Sequence, residues 1–123
     1  MKRRAIAPCT PEAVTRLCDD QGFSVSERQA QQLAEYLELL MKWNRVMNLV
    51  GANSWETCLE SLVSDSLHLA RYLENQTDMA QRCAANYGAD DAQIWDLGAG
   101  AGLPGIPLRM FWQRGEYWLV EAR

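Results

Sequence analysis

The stretch DLGAGAGLPG, from Asp96 to Gly105, decides the fold of this chain. An acid opens the stretch, Gly98, Gly100 and Gly102 alternate within it, and a fourth glycine follows a proline. Each glycine costs about 0.5–1 kcal/mol relative to alanine, which is a large penalty for a turn alone. Backbone without side chains lets a ligand approach where a strand turns into a helix. The stretch therefore predicts a ligand-binding loop.

The residues around this loop predict one strand–helix–strand unit. Gln93–Leu97 is short and apolar, as a buried strand requires. Ile106–Gln113 predicts a helix, and Glu116–Glu121 predicts a second strand. Pro104 and Pro107 lie in or beside the first turn of that helix, where a missing N–H costs little. A right-handed crossover would make the two strands parallel.

Helix signals fill the chain upstream of residue 92. Thr10–Glu12 supplies an N-cap, a proline at the first helical position and an early acid, and Gly22 predicts where that helix ends. Ser26 and Gln29 form a capping box for a second helix, over about residues 27–45. Both elements predict a helical region before the glycine loop.

The third helical stretch is less regular. Asn48–Asn53 predicts a loop, and Ser54 predicts the cap of the next helix. Asp65-Ser66 predicts a break in that helix, because both residues favour caps over helix interiors. Asn75–Asp91 is polar and predicts a loop with a short helix at Met79–Ala85.

Composition limits the class of protein. The chain has 123 residues, 48% of them hydrophobic, so one domain with a packed core is expected. A net charge of −4 argues against a chain that coats itself in nucleic acid, and Lys2–Arg4 is interpreted as a solvated terminus. No signal peptide or membrane-spanning run is visible, which predicts a cytoplasmic protein with free thiols. No zinc site is predicted, because His68 has no cysteine nearby and no CxxC spacing joins the cysteines, Cys9, Cys18, Cys58 and Cys83.

Two motif registers compete in the glycine loop. Asp96 with the three alternating glycines has the form D-x-G-x-G-x-G, which is typical of S-adenosylmethionine loops in Rossmann-like methyltransferases. Gly100, Gly102 and Gly105 have the form G-x-G-x-x-G of dinucleotide loops. Glu121 suits both registers, since it ends the second strand and can accept hydrogen bonds from two ribose hydroxyls.

Asp96 discriminates better between the two registers. A dinucleotide carries a pyrophosphate, which a neighbouring carboxylate repels. S-adenosyl-L-methionine carries a sulfonium and an ammonium instead, and both cations suit an acid at a strand end. The loop therefore favours the methyl donor, and an NAD- or flavin-dependent oxidoreductase stays as the alternative enzyme. A non-catalytic association protein is the third hypothesis.

Three blocks of the sequence resemble one known family. They are Trp43-Asn44 and Asn48-Leu49 inside YLELLMKWNRVMNLV, then Asp65-Ser66-Leu67, then DLGAGAGLPGIPL. The resemblance is to RsmG, also called GidB, the bacterial methyltransferases that modify guanine N7 in 16S rRNA. It implies an α/β fold with a helical region over residues 1–91. Residues 92–123 would then begin a Rossmann-like class I S-adenosylmethionine-dependent methyltransferase domain.

The resemblance also implies roles for particular residues. Gly98 and Leu103 would contact S-adenosyl-L-methionine, and Gly100 would shape the same loop. Asp96 would lie near the methionine moiety and Glu121 would bind the ribose. The implied partner of the full-length protein is 16S rRNA or the small ribosomal subunit.

The sequence departs from the family pattern in three places. Leu62 stands where the family commonly has a histidine, so any role of that histidine is lost or moved. Asn75–Asp91 is longer than the usual connector, which predicts a surface insertion. The chain also ends at Arg123, before the family's remaining strands, so the 123-residue chain alone is expected to show no turnover.

The upstream markers have simpler structural interpretations. Trp43 predicts core or interface packing, and Asn44 and Asn48 predict a tie between a helix end and a loop. Asp65 predicts a cap or a buried hydrogen-bond acceptor, and His68 a surface or satisfied core residue. No catalytic residue is assigned, because guanine N7 has a lone pair and no proton to remove.

An unpaired strand edge is the last expectation. One strand–helix–strand unit leaves an edge of the first strand open, and such edges recruit other chains. We expect this chain either to self-associate through Ile94–Leu97 or to have a loosely ordered C-terminal third.

Overall fold

A computed structural model describes residues 7–75 and 93–122 of the chain. The chain groups into two compact units, one ending at Ser61 and one beginning at Leu62. The expected division between residues 91 and 92 lies outside the described residues. So do the expected helix Met79–Ala85 and all but the first residue of the expected insertion.

The first helix, α1, spans Pro11–Asp20 and begins as its sequence predicts. The Thr10 side chain is the N-cap, and it accepts a hydrogen bond from the backbone N–H of Ala13 at 3.2 Å. Gly22 follows the helix with a φ of +79°, which is the left-handed conformation typical of a helix end.

The second helix, α2, spans Glu27–Met47. The predicted capping box is confirmed: the backbone N–H of Gln29 donates to Ser26 Oγ at 3.2 Å, and the backbone N–H of Ser26 donates to Gln29 Oε1 at 2.9 Å. The helix continues past the predicted end at Arg45 because Asn48, with a φ of +48°, forms the left-handed cap.

The side chain of Asn44 fastens the loop that follows α2. Its Nδ2 donates to the carbonyl of Ala52 at 3.0 Å, and its Oδ1 accepts from the N–H of Val50 at 2.8 Å. The interpretation of Asn44 as a tie between helix and loop is confirmed. Of the two expectations for Trp43, core packing is wrong, since this side chain is 47% exposed on the last turns of α2, and interface packing stays a prediction.

The core of the first unit lies between its three helices. Helix α3 spans Trp55–Cys58, and Ser54 caps it by accepting from the N–H of Thr57 at 3.2 Å. Helix α2 packs against both α1 and α3. The buried apolar side chains of these helices are Val14, Cys18, Ala30, Leu33, Ala34, Leu37, Leu40, Trp55 and Cys58.

The helical hydrogen-bond pattern changes at a π-helical turn, Leu59–Val63, which lies between α3 and the next helix, α4, at Ser64–Asn75. The change occurs just before the predicted break at Asp65-Ser66. Ser66 is fully buried on α4, whereas Asp65 and His68 are exposed. Of the two roles expected for Asp65, the buried acceptor is therefore wrong and the cap stays a prediction, while the surface position expected for His68 is confirmed.

The second unit contains the predicted strand–helix–strand segment. Strand β1 spans Gln93–Leu97, helix α5 spans Gly105–Phe111, and strand β2 spans Glu116–Val120. The two strands are parallel, with Gln93 opposite Glu116. An α/β fold, with a helical region followed by two parallel strands around a helix, is confirmed.

The sheet buries only one of its faces. Ile94 and Tyr117 pack with α5 against a cluster formed by Ala70 of α4 and by Leu108 and Trp112. On the opposite face, Trp95 stacks on Trp118 with ring centroids 5.6 Å apart, and both side chains are about half exposed. No helix in the two described ranges is long and apolar enough to cross a membrane.

Candidate functional site

The loop between β1 and α5 is held at the end of the neighbouring strand. The backbone N–H groups of Gly98 and Ala99 both donate to the carbonyl of Val120, at 2.7 and 3.0 Å. Gly98, Gly100 and Gly102 have φ values of +78°, +52° and +84°. Side chains disfavour this left-handed conformation by about 1–2 kcal/mol per residue, so the loop requires its alternating glycines.

The four glycines differ in the space around them. A Cβ atom at Gly98 would meet no atom within 4 Å, and one at Gly100 would meet only the Gly98 carbonyl oxygen, at 3.9 Å. A Cβ at Gly102 would instead overlap with Cδ1 of Ile106, and one at Gly105 would lie 2.5 Å from Oδ2 of Asp96. Gly98 and Gly100 therefore border open space, whereas Gly102 and Gly105 permit close packing.

Asp96 lies near the end of β1, on the same side of the sheet as α5. Its side chain is half-buried beside Gly105, the first residue of that helix. Its Oδ2 accepts a hydrogen bond from the hydroxyl of Tyr117 at 3.2 Å. The partial positive charge of a helix N-terminus is a favourable environment for this carboxylate.

Glu121 follows β2 and reaches the same loop. Its Oε2 accepts a hydrogen bond from the backbone N–H of Gly100, and the residue is exposed. One carboxylate thus stands at the end of each strand, and the glycine loop lies between the two strands in sequence. Leu103 is half-buried in the same loop.

The cysteine thiols of the described residues are not activated as nucleophiles. Burial raises the pKa of Cys9 to about 12 and the pKa values of Cys18 and Cys58 to about 11. These three thiols are free and remain protonated at neutral pH. Within residues 7–75 and 93–122, no group of His, Cys, Asp and Glu side chains is arranged to hold a metal ion.

The first unit contains a cleft of about 810 Å³ along α2. The lining of this cleft carries both charge signs, with Glu35 and Glu38 together with Lys42 and Arg45. All the residues that line this cleft belong to the first unit.

Sequence reasoning missed Tyr117 and Arg109. Tyr117 holds the carboxylate of Asp96, and the guanidinium Cζ of Arg109 lies 5.6 Å from the centroid of the Tyr117 ring. The alternation of side chains along β2 could have placed Tyr117 on the face of Asp96. No motif marks either residue.

These features define a class of protein. A parallel strand–helix–strand unit, with open glycine backbone and an acid at each strand end, is the start of a Rossmann-like sheet, a fold whose members bind nucleoside cofactors at this edge. Residues 29–123 match the model of the family described as "GidB: rRNA small subunit methyltransferase G". The chain belongs to this family.

Curated relatives agree with the family model. The chain is 48% identical over 110 residues to "Ribosomal RNA small subunit methyltransferase G" of Nitratidesulfovibrio vulgaris, covering 89% of this chain and 46% of the relative. The protein of the same name from Oleidesulfovibrio alaskensis is 45% identical over 120 residues, covering 98% of this chain and 48% of the relative. The one from Klebsiella pneumoniae strain 342 is 30% identical over 109 residues, covering 89% and 45%.

The chain therefore spans about half the length of the curated relatives it matches. No solved structure matches it.

Proposed function

We propose that this chain supplies the donor-binding part of an S-adenosyl-L-methionine-dependent methyltransferase that modifies guanine N7 in 16S rRNA. The observation that carries the proposal is the open space beside Gly98 and Gly100, in a loop flanked by the carboxylates of Asp96 and Glu121. Family membership supports the same reaction class.

The charges of this loop suit the methyl donor better than a dinucleotide. Asp96 would attract the ammonium or the sulfonium of the donor. Glu121 already accepts a hydrogen bond from Gly100, and its carboxylate could accept others from ribose hydroxyls. The Asp96 carboxylate beside the loop would repel a pyrophosphate, which disfavours the oxidoreductase alternative.

The residues at the loop would bind and orient the donor rather than transfer protons. Asp96 would fix the charged end, and Gly98, Gly100 and Leu103 would shape the surface against which the donor lies. When bound, the donor supplies a sulfonium methyl group for in-line displacement. Guanine N7 attacks with its own lone pair, so positioning and electrostatics can provide the catalysis without a general base.

The proposed RNA partner is 16S rRNA or the small ribosomal subunit. The chain carries a net charge of −4, which is unfavourable for binding an RNA backbone. We propose that most of the basic RNA-contacting surface lies in the half of the relatives' length that this chain does not span. A cytoplasmic location is part of the same proposal.

A chimera tests the proposed activity directly. The matched segment of the Nitratidesulfovibrio vulgaris relative is replaced by this chain, and purified chimera is incubated with labelled donor and unmethylated small subunits. We expect label at a guanine N7 of 16S rRNA from the chimera, and none from the 123-residue chain alone.

The matched controls are the same chimera with Asp96→Asn and with Asp65→Asn. Asp96→Asn should weaken donor binding, whereas Asp65 is exposed on α4 and its substitution should leave binding unchanged. A folded chimera that binds the donor but modifies no guanine in 16S rRNA would contradict the proposed activity.

A further inference from the structure

Arg109 is immobilised by the turn that connects α5 to β2. Its Nη1 donates to the carbonyls of Trp112 and Arg114, at 3.3 and 2.8 Å, and its Nη2 donates to the carbonyl of Gly115 at 2.9 Å. A guanidinium is planar, with its donors in a fixed fork, so three bonds leave it little freedom.

The immobilised guanidinium lies over the ring of Tyr117. Arg109 Cζ is 5.6 Å from the ring centroid, which is within the range of a cation–π interaction. Tyr117 is half-buried in β2, and Ile94 of β1 is its partner in the sheet register. The Tyr117 side chain is therefore contacted by Arg109 and also packs against the cluster that contains Leu108 and Trp112.

The hydroxyl of this fixed ring determines how the Asp96 side chain is oriented. It donates to Asp96 Oδ2 at 3.2 Å, and this is the only hydrogen bond to that carboxylate among the described residues. The backbone at Gly105 limits the carboxylate further, because even a Cβ atom there would lie 2.5 Å from Oδ2. Both contacts are made to Oδ2 and not to Oδ1.

The Tyr117 hydroxyl is suited to donate a hydrogen bond to Asp96 at all neutral pH values. Its pKa is raised above the ordinary value of a tyrosine, first by burial and then by the charge of Asp96 and the hydrogen bond to it. Arg109 lowers the same pKa. Asp96 on β1 and Arg109 on α5 are the charged groups that shift the pKa of Tyr117, and the hydroxyl keeps its proton throughout the neutral range.

We propose that Tyr117, braced by Arg109, is a positioning residue that holds the Asp96 carboxylate in the orientation that receives the cationic end of the methyl donor. The proposal rests on the proposed function, since it needs Asp96 to meet that cation. It assigns a role to two side chains that lie outside the glycine motif.

The first experiment tests the contact without any ligand. Tyrosine carrying ¹³C at Cζ is incorporated into this chain, and the pKa of each tyrosine is read by NMR. Asp96→Asn should lower the pKa of Tyr117, and Arg109→Gln should raise it. Tyr72 is exposed on α4 and serves as the internal control.

An unchanged Tyr117 pKa in folded Asp96→Asn protein would overturn the contact. Arg109→Gln also removes bonds to three carbonyls of the turn, so Arg109→Lys is measured beside it. If the glutamine variant does not fold, the Asp96→Asn result decides alone.

The second experiment tests the positioning role by comparing two ligands. S-adenosylhomocysteine carries the amino-acid end with its ammonium, whereas methylthioadenosine lacks that end. Both are titrated into ¹⁵N-labelled chain, and the amide shifts of Gly98 and Gly100 report binding. Tyr117→Phe should weaken the binding of S-adenosylhomocysteine about tenfold, as expected when a hydrogen bond to a charged group is lost. The same variant should bind methylthioadenosine as tightly as the wild type does.

Three further variants sharpen the comparison. Tyr72→Phe removes a hydroxyl from an exposed tyrosine and should change neither affinity. Asp96→Asn should reproduce the selective loss, and adding Tyr117→Phe to it should have no further effect, because both act through one carboxylate.

Each failure has its own signature. If Tyr117→Phe weakens the binding of both ligands equally, or of neither, the positioning role is overturned while the proposed function stands. Wild-type chain that binds neither ligand contradicts the proposed function and the positioning role together, and the tyrosine titration then shows whether the contact itself is present.

Discussion

Gly98 and Gly105 belong to one loop but meet different physical requirements. Gly98 has a φ of +78° and open space where a Cβ would stand. A Cβ at Gly105 would lie within 3.0 Å of three side chains, those of Asp96, Leu119 and Tyr117. Substitution of Gly98 therefore tests the space for a ligand, whereas substitution of Gly105 tests packing.

We expect Gly98→Ala to cost about 1–2 kcal/mol of unfolding free energy through its positive φ. Gly98→Ala should also weaken the binding of S-adenosylhomocysteine at least tenfold, because the alanine methyl group occupies the open side of the loop. Gly105→Ala should cost about 1–3 kcal/mol through overpacking. Urea unfolding and amide-shift titration measure the two effects.

Gly51→Ala is the matched control for these two variants. Its Cβ would meet open space, and the position has no positive φ, so its unfolding free energy should change by less than about 0.5 kcal/mol. Gly98→Ala with wild-type affinity for S-adenosylhomocysteine would show that the open space is not a ligand site.

The sequence predicted the acids and glycines of the loop because their types and spacing form a motif. It did not predict the packing role of Gly105, because the contacts of that residue come from β1 and β2. The same limit applies to Tyr117, whose hydroxyl meets Asp96 only when the strands pair in parallel.

At the scale of elements, side-chain caps fix where the helices begin. Thr10, Ser26 and Ser54 each accept a hydrogen bond from a backbone N–H three residues later. All three starts were predictable, because a cap depends on residues adjacent in sequence. The π-helical turn at Leu59–Val63 was not predicted, and no Gly or Pro in LESLV marks it.

Removal of the Ser26 cap tests whether the capping hydrogen bond stabilises α2. Ser26→Ala removes the acceptor for the N–H of Gln29 and should lower the unfolding free energy by about 1 kcal/mol. Ser24→Ala is the control, since Ser24 is exposed outside the helix and should change stability by less than about 0.5 kcal/mol. Urea unfolding followed by circular dichroism measures both variants. An equal decrease of the unfolding free energy in Ser26→Ala and Ser24→Ala would contradict the role of the cap.

At the scale of the whole molecule, the described part of the second unit contains a sheet of two strands, and much apolar surface on this sheet is exposed. Leu97 is 75% exposed and Trp95 is 56% exposed, both on the face opposite α5. Within the described residues, β1 pairs only with β2. Such a strand favours pairing with a second copy of the chain.

We expect this chain to self-associate at micromolar concentration and Leu97→Lys to reduce that association, because lysine on an edge strand opposes edge pairing. Leu39→Lys is the control, since Leu39 is 56% exposed on α2 in the first unit. Sedimentation velocity over a concentration series measures both. A wild-type monomer throughout the series would contradict the proposed edge.

The central claim is that the loop from Gly98 to Gly102 is shaped for a cationic methyl donor and not for a pyrophosphate. The most direct test is a parallel titration of ¹⁵N-labelled chain with S-adenosylhomocysteine and with NAD. We predict saturable shifts of the Gly98 and Gly100 amides with S-adenosylhomocysteine alone. Saturable shifts with NAD, or none with S-adenosylhomocysteine in folded protein, would contradict the claim.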